Sequence, residues 1–159
     1  MHGVGADYID KAFAATHLPS VIHVEDQREP DPDFPTVAFP NPEEGKSALN
    51  LSMKTADENG AIYIIANDPD ADRLAIAEKV QDSWKIYNGN EIGALLAWWQ
   101  LQVELKNRGA DSDLKREHLY FITSTVSSKI LGAIAREEGL TFVETLTGKL
   151  IIIKTLISS

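Results

Sequence analysis

Residues 61–77 read Ala-Ile-Tyr-Ile-Ile-Ala-Asn-Asp-Pro-Asp-Ala-Asp-Arg-Leu-Ala-Ile-Ala. The apolar run at 61–66 has the length of a strand, and its lack of polar alternation predicts burial on both faces. The apolar tetrad at 74–77 predicts a second strand, which we expect to pair with residues 84–87 as a hairpin. A strand that ends directly in a charged loop is typical of the ligand-binding edge of an α/β protein.

The loop between these strands carries three aspartates. Asp68, Asp70 and Asp72 alternate along the chain, and Pro69 excludes regular helix. Carboxylates this close repel one another, so either a cation offsets their charge or at least one carboxyl has a raised pKa. Magnesium and calcium are hard cations that take oxygen ligands. The spacing therefore predicts a divalent-cation site.

Three other interpretations of the loop compete with this one. An EF-hand calcium loop needs glycine at its sixth position and glutamate at its twelfth, and counting from Asp68 these places hold Arg73 and Lys79, which excludes it. An aspartyl-phosphate phosphatase loop, D-x-D-x-T, fits Asp68 and Asp70 but has Asp72 in place of the threonine. The third is a solvated acidic turn without a ligand. The complete seven-residue string favours a functional loop.

Helical and strand patterns alternate along the rest of the chain. We predict helices at 6–16, 46–58, 92–108 and 127–138, and strands at 21–24, 119–122 and 141–145. An apolar stripe marks the third helix: Ile92, Leu95, Leu96, Trp99 and Val103. Five prolines between residues 30 and 42 predict an extended loop. The alternation predicts an α/β fold in two units with mixed sheets flanked by helices. The turn signal Asn88-Gly89 places their boundary near residue 88.

Composition narrows the classes of partner. The 159 residues carry a formal net charge of −9, which disfavours nucleic acid and anionic membranes as partners. No apolar run approaches the roughly 20 residues of a spanning helix, and residues 1–5 lack the features of a secretory signal. The chain has no cysteine, which excludes disulfides and thiolate chemistry and fits a cytoplasmic location.

The string N-D-P-D-A-D-R at 67–73 resembles the metal loop of the α-D-phosphohexomutase superfamily. Other segments resemble the family in the same order: 1–5 its glycine turn near the start of the second domain, 39–45 its proline-rich loop, 88–96 the entry to its third domain, and 123–128 and 144–148 two third-domain loops. Within the superfamily, these motifs resemble the eukaryotic phosphoglucomutase-2 group, which includes phosphopentomutases and a glucose 1,6-bisphosphate synthase. The resemblance covers residues 1–148.

This resemblance implies a phosphomutase, an isomerase-class enzyme that moves a phosphate between positions of one sugar. A phosphoserine donates its phosphoryl group to the sugar phosphate. The resulting sugar bisphosphate then returns its other phosphate to the serine. The resemblance assigns Mg²⁺ to three protein ligands, Asp68, Asp70 and Asp72. It implies that the cationic Arg73 lies near the phosphoryl oxygens. A purely structural salt bridge from Arg73 to one aspartate is an equally weighted alternative. It also places Thr147 and Gly148 near the sugar.

The chain departs from the family pattern in three ways. It has no Ser-His-Asn-Pro loop, hence no phosphoserine nucleophile, and the family's sugar-specificity and phosphate loops are absent as well. Residues 149–159 do not follow the family sequence. We therefore expect 1–88 to be a second-domain unit without its first strand, 89–148 the start of a third-domain unit, and 149–159 a divergent tail.

A fragment of this kind is expected to be inactive alone. The alternatives are a member of the glucose 1,6-bisphosphate synthase type and a non-catalytic binding fragment. The sequence does not discriminate hexose from pentose phosphates.

Overall fold

The computed structural model describes residues 1–42, 46–108 and 116–147. It divides into two compact units, Met1–Gly89 and Asn90–Ser159. None of the helices in the described ranges combines the length and apolarity needed to span a bilayer.

The first unit places three helices and a 3-10 turn around a three-stranded sheet. In chain order its elements are α1 (Ala6–Ala15), α2 (Glu25–Arg28), a 3-10 turn (Lys46–Leu49), α3 (Asn50–Asn59), β1 (Tyr63–Asn67), β2 (Leu74–Val80) and β3 (Ser83–Tyr87). The strands are antiparallel in the order β1-β2-β3, with Ile65 opposite Ile76 and Ala77 opposite Ile86. The predicted hairpin is confirmed, and the predicted helix end at Asn59 is explained by Gly60, whose φ of 66° only glycine adopts at no steric cost.

The core of this unit lies between α3 and one face of the sheet. Its buried members are Leu49, Ala56, Ile64, Ala66 and Ala77, and Met53, Trp84 and Ile86 pack against them. Three of the five buried members are alanines.

The prediction that the strand at 61–66 is buried on both faces was wrong. Ile64 and Ala66 are each 7% exposed, whereas Tyr63 is 60% and Ile65 46% exposed. In an antiparallel sheet, successive side chains point to opposite faces, and in the described residues only the Ile64 face packs against a helix.

The prediction of a strand at 21–24 was also wrong. These residues carry no regular secondary structure, although Val24 has extended backbone angles. A strand requires a partner backbone about 4.8 Å away. Here residues 21–24 and β1 line the same cavity, and the space between them holds no partner strand in the described residues. The helical turn α2 follows and was not predicted.

The second unit contains a βαβ arrangement. Its elements are α4 (Gly89–Arg108), a 3-10 turn (Arg116–His118), β4 (Tyr120–Ser124), α5 (Ile130–Glu138) and β5 (Thr141–Thr145). β4 and β5 are parallel, and Phe142 of β5 contacts α5 so closely that a Cβ on Gly132 would lie 3.0 Å from its ring. The predicted helix at 127–138 begins three residues later, because Ser127 first closes a turn on the carbonyl of Ser124.

The apolar stripe of α4 is buried only in part. Ile92 is 4% exposed, whereas Leu95, Leu96 and Trp99 are 56%, 57% and 66% exposed. Together the two units make a mixed α/β structure with antiparallel and parallel sheets and flanking helices, as the sequence predicted.

A carboxylate at the end of α3 links that helix to the sheet. Asp57 accepts hydrogen bonds from Lys79 Nζ at 2.5 Å and Trp84 Nε1 at 3.2 Å. The Lys79 hydrogen bond is the largest cause that lowers the pKa of Asp57 below its ordinary value of 3.8. Because the folded-state pKa is below the unfolded value, this contribution to stability is present above about pH 4 and is lost as the pH falls through the folded-state pKa.

The Asp57→Asn variant should therefore have a slightly lower free energy of unfolding than the parent chain at pH 7. Its free energy of unfolding should also fall less than that of the parent between pH 7 and pH 3. Urea unfolding at both pH values measures this difference, with Glu58→Gln as the matched control. An unchanged pH dependence in Asp57→Asn would contradict the assignment.

Candidate metal centre

The three aspartates lie in the connection between β1 and β2. β1 ends at Asn67, Asp68 follows at once, and β2 begins at Leu74. Asn67 Nδ2 donates to the carbonyl of Arg73 at 2.7 Å, which closes the base of the loop. The amide of Ala71 donates to the carbonyl of Asp68 at 3.1 Å, and Ala71 takes a left-handed φ of 60°. The loop is therefore held by its own hydrogen bonds.

This loop conformation brings the carboxylates together. One oxygen from each of Asp68, Asp70 and Asp72 lies within 4.8 Å of the others. Asp68 is 2% exposed, and Asp70 and Asp72 are exposed. The geometry offers three convergent oxygen ligands, one anchored in the protein and two facing solvent.

Asp68 has one carboxylate oxygen satisfied and one not. Its Oδ1 accepts from the backbone amide of Arg73 at 3.1 Å. Its Oδ2 is buried without a hydrogen-bond partner in the described residues, although Arg73 Nε lies 2.9 Å away without the alignment of a hydrogen bond. A buried carboxylate oxygen that lacks a partner costs free energy. A hard cation would satisfy it, so the donor set fits a divalent ion such as Mg²⁺.

The carboxyls influence each other's protonation in opposite directions. Burial raises the pKa of Asp68 and is the largest single influence. Hydrogen bonds from the Arg73 amide and the Asp72 carboxyl, together with the Arg73 charge, outweigh burial and lower the pKa of Asp68 below its ordinary value. The pKa of Asp72 is raised, first by its hydrogen bond to Asp68 and then by the charge of Asp70. A cation bound by these carboxylates would favour their ionised forms.

Arg73 forms an ion pair with the loop itself. Its Nε is 2.9 Å from Asp68 Oδ2 and 3.6 Å from Asp72 Oδ1, and its side chain is 49% exposed. The structural salt bridge expected as one alternative is therefore present. Both of these contacts are made through Nε.

Gly3 supports the loop from outside, which sequence reasoning missed. A Cβ at Gly3 would lie 2.2 Å from the carbonyl oxygen of Pro69 and 2.3 Å from its Cα. The next amide, that of Val4, donates to the same carbonyl at 2.9 Å. From the sequence, residues 1–5 were identified only as a glycine turn. No local signal indicates that Gly3 contacts Pro69, 66 residues further along the chain.

The predicted sugar-site residues lie in the second unit. Thr147 is exposed and follows β5. Gly148 and residues 149–159 lie outside the described residues, so the predictions made for them stay predictions.

The fold and the site define a class: an α/β protein with an acidic loop at the end of a strand, whose carboxylates could bind a cation. Residues 1–81 match the family model described as phosphoglucomutase/phosphomannomutase, alpha/beta/alpha domain II. The chain belongs to this phosphoglucomutase/phosphomannomutase family, which confirms the resemblance drawn from its motifs.

Similar proteins extend beyond the matched domain. The chain is 53% identical over 150 residues to a human protein named phosphopentomutase, and 49% identical over 148 residues to a human protein named glucose 1,6-bisphosphate synthase. These alignments cover 93% and 92% of this chain, which spans about a quarter (24%) of the length of each relative.

A solved structure supports the fold. The crystal structure of a Thermus thermophilus protein, assigned as a phosphomannomutase, superposes with a TM-score of 0.69 at 19% identity. The superposition covers 99% of this chain and 32% of the other. At this identity it bears on the fold alone.

Proposed function

We propose that this chain carries the Mg²⁺ loop of a phosphomutase that moves a phosphate between two positions of one sugar phosphate. The observation that supports this most directly is the convergence of one carboxylate oxygen from each of Asp68, Asp70 and Asp72 within 4.8 Å, with Asp68 buried at the base of the loop. When bound, Mg²⁺ would supply the positive charge that stabilises a transferring phosphoryl group.

The roles of the loop residues follow from their exposure. Asp68 is the anchored ligand, because its backbone-bonded carboxylate holds one orientation. Asp70 and Asp72 would supply ligands from the solvent-exposed side of the loop. Arg73 forms an ion pair with Asp68, and its planar fork of donors would suit the phosphoryl oxygens of a substrate.

The substrate class in this proposal is a sugar phosphate, with a sugar bisphosphate as intermediate. The names of the relatives, phosphopentomutase and glucose 1,6-bisphosphate synthase, support the class but not one sugar. Thr147 and Gly148 belong to the proposed sugar-binding loop, and the cysteine-free composition fits a cytoplasmic enzyme. Because the 159 residues contain no Ser-His-Asn-Pro loop, the phosphoserine is not supplied by this chain.

The aspartyl-phosphate alternative is disfavoured by the position of Asp68. A nucleophilic carboxylate must reach phosphorus in line, whereas Asp68 is 2% exposed and its Oδ1 is bonded to the Arg73 amide. Hydroxylamine trapping after incubation with a phosphate ester tests this point. We expect no acyl-phosphate.

The proposal is tested first by metal binding and then by a mutase assay. Titration of the purified chain with Mn²⁺, followed by electron paramagnetic resonance, should show one saturable site from which Mg²⁺ displaces Mn²⁺. A folded chain without such a site would contradict the proposal.

A coupled mutase assay with Mg²⁺, a bisphosphate primer, and glucose 1-phosphate or ribose 1-phosphate should then show no turnover by the chain alone. Turnover that disappears in Asp70→Ala would mean that a residue of this chain replaces the phosphoserine.

A further inference from the structure

Two buried polar side chains outside the metal loop share one hydroxyl group. His2 is 4% and Gln27 is 6% exposed. His2 Nε2 lies 2.7 Å and Gln27 Nε2 lies 2.8 Å from the Oγ1 atom of Thr36, in the proline-rich segment. A buried polar group costs free energy unless it is hydrogen-bonded, so this single hydroxyl satisfies both side chains.

The direction of these two hydrogen bonds follows from the donors available. The amide nitrogen of Gln27 only donates, so Thr36 Oγ1 accepts from it. The hydroxyl has one hydrogen, and within the described ranges the other polar atom bonded to it is His2 Nε2. Thr36 therefore donates to Nε2, which must be unprotonated, and neutral His2 carries its ring proton on Nδ1.

His2 is also fixed through its backbone. Its amide donates to the carbonyl of Gln27 at 2.7 Å, and its carbonyl accepts from the amide of Asp31 at 3.1 Å. Its left-handed φ of 47° costs free energy in a residue that has a Cβ, and such a conformation persists only where the surroundings hold it. The Thr36 hydroxyl and the edge contact with the Phe34 ring complete these surroundings.

The two residues after this histidine contact the metal loop. A Cβ on Gly3 would lie 2.2 Å from the carbonyl oxygen of Pro69, and the amide of Val4 donates to that oxygen at 2.9 Å. Pro69 stands between the first two aspartates of the loop. Residues 2–4 therefore connect the shared hydroxyl to the peptide that joins two of the three ligands.

The turn that contains Pro69 is held from outside the loop by this segment. The amide of Ala71 donates to the carbonyl of Asp68, which sets the shape of the turn but not its position on the protein. Among the described residues, the bond from Val4 to Pro69 is the one hydrogen bond that reaches residues 68–71 from outside the loop. The position of the turn therefore depends on residues 2–4.

We propose that Thr36 is a positioning residue of the metal loop. Its hydroxyl holds His2 in the left-handed conformation, so that residues 2–4 meet Pro69 at a fixed distance and the first two aspartates keep a fixed separation. This role rests on the proposed function of the loop as a Mg²⁺ site. Ligands that are already in place bind a cation more tightly, because less conformational entropy is lost when the ion binds.

Thr36→Val tests this role, because it removes the hydroxyl and nearly preserves the shape of an exposed side chain. In the full 159-residue chain we expect the affinity for Mn²⁺ to fall by about three- to tenfold, since partners of metal ligands act more weakly than the ligands themselves. Thr36→Ser keeps the hydroxyl and should bind Mn²⁺ as the parent does.

Thr16→Val is the matched control. It removes the hydroxyl of another exposed threonine, which donates to the carbonyl of Ala12 at 2.8 Å at the end of α1. This variant should keep the Mn²⁺ affinity of the parent. Equal affinities in the parent, Thr36→Val and Thr16→Val, each shown to be folded, would overturn the proposal.

The ring nitrogens of His2 give a spectroscopic readout of the shared hydroxyl. In alkaline buffer, nitrogen-15 chemical shifts should place the ring proton of the parent on Nδ1, and Thr36→Val should lose this preference. A proton on Nε2 in the parent would contradict the bond from Thr36, and with it the proposal.

Amide hydrogen exchange without metal separates this proposal from that of the Mg²⁺ site. In Thr36→Val the amide of Val4 should exchange about fivefold faster than in the parent, while that of Lys79, which bonds to the carbonyl of Ile62, should change much less. Equal acceleration of both amides would assign Thr36 to the stability of the whole unit and overturn the proposal. A parent chain that bound no Mn²⁺ would contradict the metal site, whereas the exchange rate of Val4 would still decide whether Thr36 positions the loop.

Discussion

Asp70→Asn is expected to lower the affinity for Mn²⁺ and Mg²⁺ by about 10- to 100-fold while the fold is retained. The substitution removes one of three charges that converge on the site, and a loss of about 1.4 kcal/mol already corresponds to tenfold. Asp70 is exposed, and the described residues give its carboxylate no hydrogen-bond partner, so the amide replaces it without breaking an internal contact.

Without metal, the same substitution should not destabilise the protein and should stabilise it slightly. The two carboxylates carry like charges and repel each other, so the charge of Asp70 contributes to the raised pKa of Asp72. Removal of this repulsion leaves the metal-free stability unchanged or slightly higher. Thermal unfolding with and without Mg²⁺ should therefore show that the parent is stabilised by the ion and that the variant is stabilised much less.

Asp82→Asn is the matched control. It makes the same change of charge in the turn between β2 and β3, at the end of β2 opposite to the metal loop. If Asp70→Asn binds Mn²⁺ as tightly as Asp82→Asn does, the loop is a solvated acidic turn and the metal assignment fails.

Gly3→Ala is the second substitution with a large expected effect. Its Cβ would lie 2.2 Å from the carbonyl oxygen of Pro69, a distance at which the backbone of one segment must move. Overpacking of this kind costs about 1–3 kcal/mol. Because Pro69 lies between Asp68 and Asp70, the displacement also changes the separation of two of the three ligands, and the Mn²⁺ affinity should fall with the stability.

Gly93→Ala provides the comparison. A Cβ at Gly93 meets nothing within 4 Å, and alanine is the better helix former, so this variant should be as stable as the parent or more so. Urea unfolding and Mn²⁺ titration of both variants measure the two effects. Parent-like stability and affinity in Gly3→Ala would show that the contact between Gly3 and Pro69 does not support the loop.

The sequence by itself determined the elements whose causes are local. The hairpin of β2 and β3, the end of α3 at Gly60 and the position of the acidic loop directly after β1 follow from apolar runs and turn residues within a few positions of each other. The clustering of Asp68, Asp70 and Asp72 also has a local cause, because a short loop closed by the hydrogen bond between Asn67 and Arg73 keeps its side chains close together.

Only the tertiary structure decided which faces of these elements are covered and which distant residues contact each other. An apolar run is the same whether one or both faces of its strand are covered, so the exposure of Tyr63 and Ile65 depends on which helices pack against the sheet. Residues 21–24 have the composition of a strand and lack a neighbouring backbone. The contact of Gly3 with Pro69 joins positions 66 residues apart. Local propensity carries no information about such pairs, because the free energy of each contact depends on the atoms that the fold brings next to it.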